Sequence, residues 1–468
     1  MKTPVYHTVT LSKIVGGGQT LGTLDDGRKC FVWGGLPGET VRFLQTKKKS
    51  HLVEGIVTEV IEASSERITP NDPDSYLATS PWQIMNFEAE QHYKAALIEE
   101  AFELHDIVLP DAIDVYTDGR EYRYRNKVEF SWYGETDAIS GADTLHLAFF
   151  RRGSKGKIIV DDCTLLPEPM IQLAHEIRDF LQSVGVTARE LKTLLIRCDQ
   201  AGNCVWQLYI KTPTCDFLSE KDMSTFTARG GEVIYSDPRS PASRITERLF
   251  AVGDTVLTDM ILNVPFRYAT EGFFQINIPV YEQALHDMQH WVDPATSFSE
   301  GSAFPAEGET RQVAASGSPV PEEKDSGRVQ PQVIDFYSGV GSIGLTIGGK
   351  GCTLVEINED AVREMRRNIT ELGSDATAVL AASEQALEYI TADKTIILDP
   401  PRAGLHADVI TRLLEVLPGR IIYLSCNPVT QARDVAMLAE GYGIRAHRGY
   451  NFFPRTPHIE HLVILDRK

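Results

Sequence analysis

From Val333 to the carboxyl terminus, short apolar runs alternate with helix-like segments, and that alternation leaves few architectures open. VIDFYS and CTLVEIN read as strands, and EDAVREMRRNITEL as a helix. ATAVLAA and TIILDPPR are strands again, followed by the helix DVITRLLEVL, the strand RIIYLSCNP and the helix VTQARDVAMLAEG. Strands alternating with helices imply a mostly parallel, doubly wound sheet, which binds ligands at the carboxyl ends of its strands. Chemistry is therefore sought at those ends.

The rest of the chain divides by composition. Pro294 to Gln332 is rich in Pro, Ser, Gly, Ala and Glu, and is expected to be a disordered insertion (294–332). Residues 1–62 read as short strands with glycine turns, a small β-barrel of the oligonucleotide-binding type. Residues 63–293 read as an α+β domain that opens on helical spacing at Phe87, Tyr93, Leu97, Ile98, Ala101 and Phe102. The fold class is thus a multidomain α/β chain: barrel, α+β domain, and a Rossmann-like domain over 333–468.

A net charge of −19 argues against a protein that coats nucleic acid by bulk attraction. Basic groups are nevertheless local: Lys47, Lys48 and Lys49 at a barrel strand end, then Arg120, Arg123, Arg125 and Lys127, then Arg151, Arg152, Lys155 and Lys157. That pattern fits recognition by shape and a few phosphates. Seven cysteines without a CxxC pair indicate neither a disulfide framework nor a zinc ribbon. With no membrane-length apolar stretch and no apolar leader at the amino terminus, the chain is expected to be cytoplasmic. It is also expected to be a monomer.

Three strand ends carry candidate chemistry. Gly339-Val340-Gly341-Ser342-Ile343-Gly344 is a G-x-G-x-x-G turn, and Glu356 ends the next strand, where an acidic residue takes ribose hydroxyls. A nicotinamide cofactor and S-adenosylmethionine both remain open at this point. Asp335 and the lack of a cationic phosphate clamp lean toward the second. Asp399-Pro400-Pro401-Arg402 ends one strand and Ser425-Cys426-Asn427-Pro428 the next. Pro428 suits a first helical turn, so Cys426 is expected at a helix N-terminus, where the dipole lowers a thiol pKa.

Together DFYSGVGSIGL, LVEIN, LDPPRAG, LSCNP, FPRTPHIEHLVIL and the upstream EGFFQIN resemble the RNA 5-methyluridine methyltransferases. The barrel, with GLPGE and its basic strand end, resembles a TRAM domain. The resemblance implies an S-adenosylmethionine-dependent enzyme acting on RNA, with Cys426 as nucleophile and Glu460 as general base. Cofactor contacts are implied at Gln275, Tyr337, Ser342, Glu356, Ser383 and Asp399. Phe273 and Phe274, beside Gln275 in EGFFQIN, are candidates to stack a base; Arg402 is a candidate for a phosphate or an internal carboxylate. His458 is expected as a structural hydrogen-bonding partner.

The chemistry agrees with that assignment. Carbon 5 of uracil becomes nucleophilic once a thiolate adds at carbon 6, and a base must then take the carbon-5 proton. A 5-methylcytidine enzyme would be expected to carry a Cys where Arg402 stands. The TRAM resemblance favours ribosomal RNA, 23S in particular, ahead of transfer RNA. A non-catalytic RNA-binding or assembly protein that kept the fold is the reading from another class. Many relatives hold a [4Fe–4S] cluster on four cysteines; here Asn71, Leu77 and Ser80 stand at three of those places and only Cys163 remains. No cluster and no other metal is expected. The helix after the glycine loop is also short, stopped by Gly348 and Gly349.

Overall fold

Alternating apolar residues close the first five strands into a barrel. In the computed structural model, which describes residues 3–136, 143–154, 156–240, 242–292, 304 and 332–468, these are β1 (Tyr6–Ile14), β2 (Thr20–Thr23), β3 (Lys29–Trp33), β4 (Thr40–Lys48) and β5 (Leu52–Glu62). They close in the order β1-β2-β3-β5-β4. Every second side chain points inward, so Val9, Leu11, Cys30, Val32, Val41, Phe43 and Val53 form its core. Gly55 is needed for close approach: a Cβ there would lie 2.2 Å from the Phe43 ring. Glu39, the last residue of GLPGE, is fully buried and accepts from Arg67 Nε and Nη2 at 2.5 and 2.7 Å. The proposed insertion lies outside the described residues apart from Phe304 and Gln332.

A single turn, α1 (Tyr76–Thr79), precedes the long helix α2 (Phe87–Glu103), whose N-cap Asn86 accepts from the Ala89 amide. Leu97, Ile98, Ala101 and Phe102 are buried, as their spacing predicts. Glu90 and Lys94 are fully buried as well, which apolar periodicity gives no hint of.

The middle of the chain forms a seven-stranded sheet, order β13-β12-β11-β10-β7-β8-β9. Its strands are β7 (Lys127–Thr136), β8 (Asp143–Phe150), β9 (Lys157–Ile159), β10 (Leu191–Cys198), β11 (Cys204–Ile210), β12 (Gly230–Tyr235) and β13 (Glu247–Gly253). Helix α3 (Glu168–Ser183) covers it, burying Leu173, Ile177 and Leu181 against a core that includes Trp132 and Trp206. A short α4 (Glu220–Met223), the hairpin β14 (Val256–Ile261) and β15 (Val264–Ala269), and helix α5 (Ile278–Trp291) follow.

The carboxyl-terminal segment builds an eight-stranded sheet. Its elements are β16 (Gln332–Phe336), α6 (Ser342–Ile347), β17 (Thr353–Glu356), α7 (Glu359–Glu371), β18 (Thr377–Leu380), β19 (Lys394–Leu398), α8 (Ala407–Val416), β20 (Arg420–Ser425), α9 (Pro428–Leu438), β21 (Tyr442–Tyr450) and β22 (Glu460–Arg467). Strands β18-β17-β16-β19-β20 are parallel, and β22 enters antiparallel beside β20. The far edge comes from upstream: β6 (Val115–Tyr116) pairs parallel with β21. Apolar cores lie in two clusters, one with α5, α6 and α7, the other with α8, α9 and α2. The strand order reverses between β16 and β19, and such a switch point opens a crevice at the strand ends. No described helix is long and apolar enough to cross a membrane.

Candidate active site

The crevice is lined by the residues that the strand ends deliver. Asp335 closes on the glycine loop: its Oδ2 accepts from the Gly344 amide at 2.9 Å, while Oδ1 is buried without a partner. Burial pushes its carboxyl up to about 8. Gly339 and Gly341 sit at φ +56° and +88°, left-handed values that side chains rarely adopt. A Cβ at Gly341 would also lie 2.9 Å from Leu345. Glu356, at the end of β17, accepts from the Gly339 amide at 3.0 Å through Oε2 and from the Asn358 amide at 2.7 Å through Oε1. It thus shapes the loop while its remaining lone pairs stay available.

Asp399, at the end of β19, has its carboxyl raised by burial to about 7. Ser342 opens α6, and its hydroxyl meets the Tyr281 hydroxyl of α5 at 2.8 Å. Tyr337 adopts φ +65° on the strained turn after β16, and its hydroxyl meets Ser383 Oγ at 2.9 Å. Both line a cavity of about 470 Å3 with Pro401 and Arg433. Gln275 precedes α5; its carbonyl accepts from Asn126 Nδ2 at 2.9 Å. Two places on is Asn277, 1 % exposed, with both amide atoms lacking partners. Sequence reasoning took Gln275 from EGFFQIN and passed over Asn277 and Tyr281; the asparagine in that motif was the available signal.

Cys426 lies between β20 and α9, half-buried, with Asn427 as N-cap and Pro428 in the first turn. Its expected activation is corrected. Burial pushes the thiol up to about 12, the nearby Glu460 and Asp399 carboxylates push the same way, and Arg402 only partly opposes them. Desolvation and two like-signed neighbours outweigh a helix N-terminus. Glu460 begins β22, is 6 % exposed, and is held well above the usual carboxylate range by burial and by Asp399. Asp399 therefore lies close enough to both predicted catalytic residues to perturb their ionisation, and Glu460 close enough to perturb that of Cys426.

Arg402 lies close enough to an internal carboxylate, Glu460, to oppose part of its upward shift. Its Nη2 contacts His458 Nδ1 at 3.1 Å. Desolvation and the charge of Arg402 hold the His458 ring down to about 4, so the neutral nitrogen accepts. Beside Cys426 a cavity of about 160 Å3 is lined by Arg402, His458, Val429 and, from the barrel's β1–β2 turn, Gly16 and Gly17. Phe274 is core, stacked on Tyr268 at 3.9 Å, whereas Phe273 is 72 % exposed.

Three of the four cluster positions, Asn71, Leu77 and Ser80, carry no thiol. Asp72 Oδ2 accepts from Gln83 Nε2 and Thr164 Oγ1, each at 2.8 Å, and Gln83 also donates to Ser80 Oγ at 2.6 Å. Cys163 is buried with its thiol raised, beside no second thiol of the set. No group of three His, Cys, Asp or Glu suited to a metal ion occurs among the described residues. This donor set does not fit an iron–sulfur cluster.

Residues 384–468 match the sequence model of a family described as tRNA (Uracil-5-)-methyltransferase. An uncharacterized RNA methyltransferase of Nitratidesulfovibrio vulgaris is 25% identical over 98% of this chain and 96% of its own length. A protein of Dichelobacter nodosus named 23S rRNA (uracil(1939)-C(5))-methyltransferase RlmD is 24% identical, over 94% of each chain. Among solved structures, the tRNA (uracil-54, C5)-methyltransferase of Pyrococcus abyssi in complex with S-adenosyl-L-homocysteine superposes with a TM-score of 0.73. It is 19% identical, and the match covers 98% of this chain and 100% of that one.

Proposed function

We propose that this chain, which belongs to the RNA uracil-5-methyltransferase family, methylates carbon 5 of a uridine in structured RNA through a covalent Cys426–carbon-6 adduct. The observation that carries the reading is the convergence of Cys426, Glu460 and Asp399 at the adjoining ends of β19, β20 and β22, where both carboxyls raise the thiol and Asp399 raises Glu460. Barrel, middle sheet and doubly wound sheet would correspond to a TRAM module, an RNA-gripping domain and a Rossmann-like methyltransferase domain, with the boundaries given above.

The crevice fits S-adenosylmethionine. Asp335 and Asp399 are two desolvated carboxyls with the half-buried Glu356 nearby, and the shift of Asp399 comes from burial alone, with no cation offsetting it. Such a set suits a ligand with cationic sulfonium and ammonium groups and no phosphates. The orphaned Asp335 Oδ1 and Asn277 amide provide unspent polar atoms. Gln275, Tyr337, Ser342, Glu356, Ser383 and Asp399 would hold the cofactor, with Glu356 facing its ribose. When bound, it supplies a methyl group activated by the sulfonium.

Cys426 Sγ, as thiolate, bonds to carbon 6 and moves charge onto the ring, which makes carbon 5 nucleophilic. After carbon 5 has gained its methyl, Glu460 takes the carbon-5 proton, the ring double bond re-forms, and the carbon–sulfur bond breaks. A carboxylate held in a desolvated place accepts that proton far better than an ordinary glutamate. Phe273, exposed two residues before Gln275, would stack a flipped base. The positive end of a bound cofactor would also favour the Cys426 thiolate that the free protein disfavours.

The match to the Dichelobacter relative over nearly the whole chain supports 23S ribosomal RNA as the target. The transfer-RNA reading rests on the names of the matching family and of the Pyrococcus structure. Incubation of RNA from a strain lacking this gene with methyl-labelled cofactor tests both. Label in 5-methyluridine of 23S RNA supports the proposal, label in transfer RNA the alternative. RNA binding without transfer would sink the enzymatic reading.

A further inference from the structure

Glu460 must sit within reach of carbon 5, yet the segment leading to it, 451–459, is a loop. That loop is held by a buried polar network from the amino-terminal half. Lys94 and Glu90, one turn apart on α2, form a 3.0 Å ion pair with both side chains fully buried. Lys94 donates to Asn451 Oδ1 and, at 3.1 Å, to the Phe453 carbonyl. Glu90 accepts from Asn451 Nδ2 at 2.9 Å and from the Arg455 amide at 3.0 Å through each oxygen. Asn451 is 0 % exposed and Arg455 2 %.

The clamp closes from other sides too. Arg455 adopts φ +66°, donates to the Met85 carbonyl at 2.6 Å, and pairs with Glu121. Its carbonyl accepts from the Trp82 amide at 3.1 Å, and the Pro454 carbonyl accepts from the Tyr124 hydroxyl at 2.8 Å. The barrel braces Pro457, two residues on from Arg455: a Cβ on Gly18 would lie 2.2 Å from Pro457, and Trp82 Nε1 donates to the Gly18 carbonyl at 3.2 Å. Helix α2 also packs on α9, the helix that begins two residues after Cys426.

A buried lysine–glutamate pair is weak support for stability, because desolvation offsets most of the attraction. What this pair does is fix the loop at Asn451, Phe453 and the left-handed Arg455, upstream of the base. We propose that Lys94 and Glu90 are positioning residues for Glu460, so that the amino-terminal half of the chain sets the geometry of proton removal. This rests on the reading of Cys426 and Glu460 given above. Bond making at carbon 6 depends on β20 and α9; proton removal depends on the clamped loop.

The doubly neutral variant K94M/E90Q leaves no orphaned buried charge. With ordinary uridine RNA and S-adenosylmethionine, loosening the loop is expected to lower kcat about a hundredfold, the usual effect of a 1 Å misplacement, with KM for RNA changed less than threefold. The covalent protein–RNA species, scarce in the wild type, should accumulate severalfold, because the methylated adduct forms but does not lose its proton. E460Q provides the reference pattern. G18A, which pushes Pro457 from the barrel side, should move in the same direction, and decides the matter if the double variant fails to fold. Falling kcat with no rise in adduct, or unchanged kcat, overturns the positioning role. A wild type that forms no adduct with 5-fluorouridine RNA overturns the mechanism itself, a separable outcome.

Discussion

Replacing Asp399 by Asn tests the crevice's electrostatics most sharply, because it should stabilise the protein while disabling it. The folded protein holds the Asp399 proton up to about pH 7, against an ordinary value of 3.8. A carboxyl raised on folding loses stability as pH climbs between those two values, and the full cost is present above the upper one. At about 1.4 kcal/mol per tenfold change in proton affinity, Asp399 costs about 2 kcal/mol at pH 5 and about 4 kcal/mol at pH 8. Asn has the same shape without the charge, and losing that charge also relieves Asp335, whose carboxyl Asp399 helps to raise. Both effects have one sign. Urea unfolding followed by tryptophan fluorescence reads the relevant region, since Trp291 lies in the core beside this sheet. The midpoint of D399N should exceed that of the wild type at pH 8 and approach it at pH 5. S-adenosylmethionine should raise the wild-type midpoint and leave the variant's almost unmoved. Equal pH dependence in the two proteins would refute the claim that Asp399 is an uncompensated buried carboxylate.

Two further outcomes follow from the same geometry. With the Cys426 thiol pushed up to about 12, only about one molecule in ten thousand carries the thiolate at pH 8; iodoacetamide labelling of Cys426, mapped by peptide mass spectrometry, should be slow and rise tenfold per pH unit from 7.5 to 10, and a plateau below pH 9 contradicts this. Phe273→Ala removes a ring that is 72 % exposed; thermal stability should shift by less than about 0.5 kcal/mol, while RNA affinity falls by about 1–3 kcal/mol, as read by filter binding.

The strand ends were legible in the sequence because chemistry there has a fixed vocabulary. Gly339 and Gly341, Glu356, Asp399 and Cys426 stand in the doubly wound sheet where the alternation of strands and helices places them. The barrel was legible from its short strands and glycine turns; Glu39 of GLPGE, part of the TRAM resemblance, binds Arg67 internally. What a local pattern cannot carry is long-range pairing. The antiparallel entry of β22 between β20 and β21 depends on contacts about 40 residues apart, and the capture of β6 by β21 on contacts more than 300 apart. Glu90 and Lys94 would be placed outward on α2 by their polarity; they are buried because Asn451 and Arg455 meet them there. The Cys426 thiol departs from its expectation for a related reason: the helix N-terminus is visible in Asn427-Pro428, but the burial that raises the thiol most, and the Glu460 and Asp399 carboxyls that add to it, come from the tertiary fold. Arg402 likewise finds its partner, His458, across the fold.

The central claim is a covalent bond between Cys426 and a uridine. Purified wild-type protein, S-adenosylmethionine and 23S RNA transcribed with 5-fluorouridine should give a stable protein–RNA species, since fluorine cannot leave as a proton does. After nuclease digestion, mass spectrometry should place a methylated fluorouridine on the peptide containing Cys426, and C426A should give none. An adduct that persists in C426A, or one mapped to another cysteine, would contradict the account.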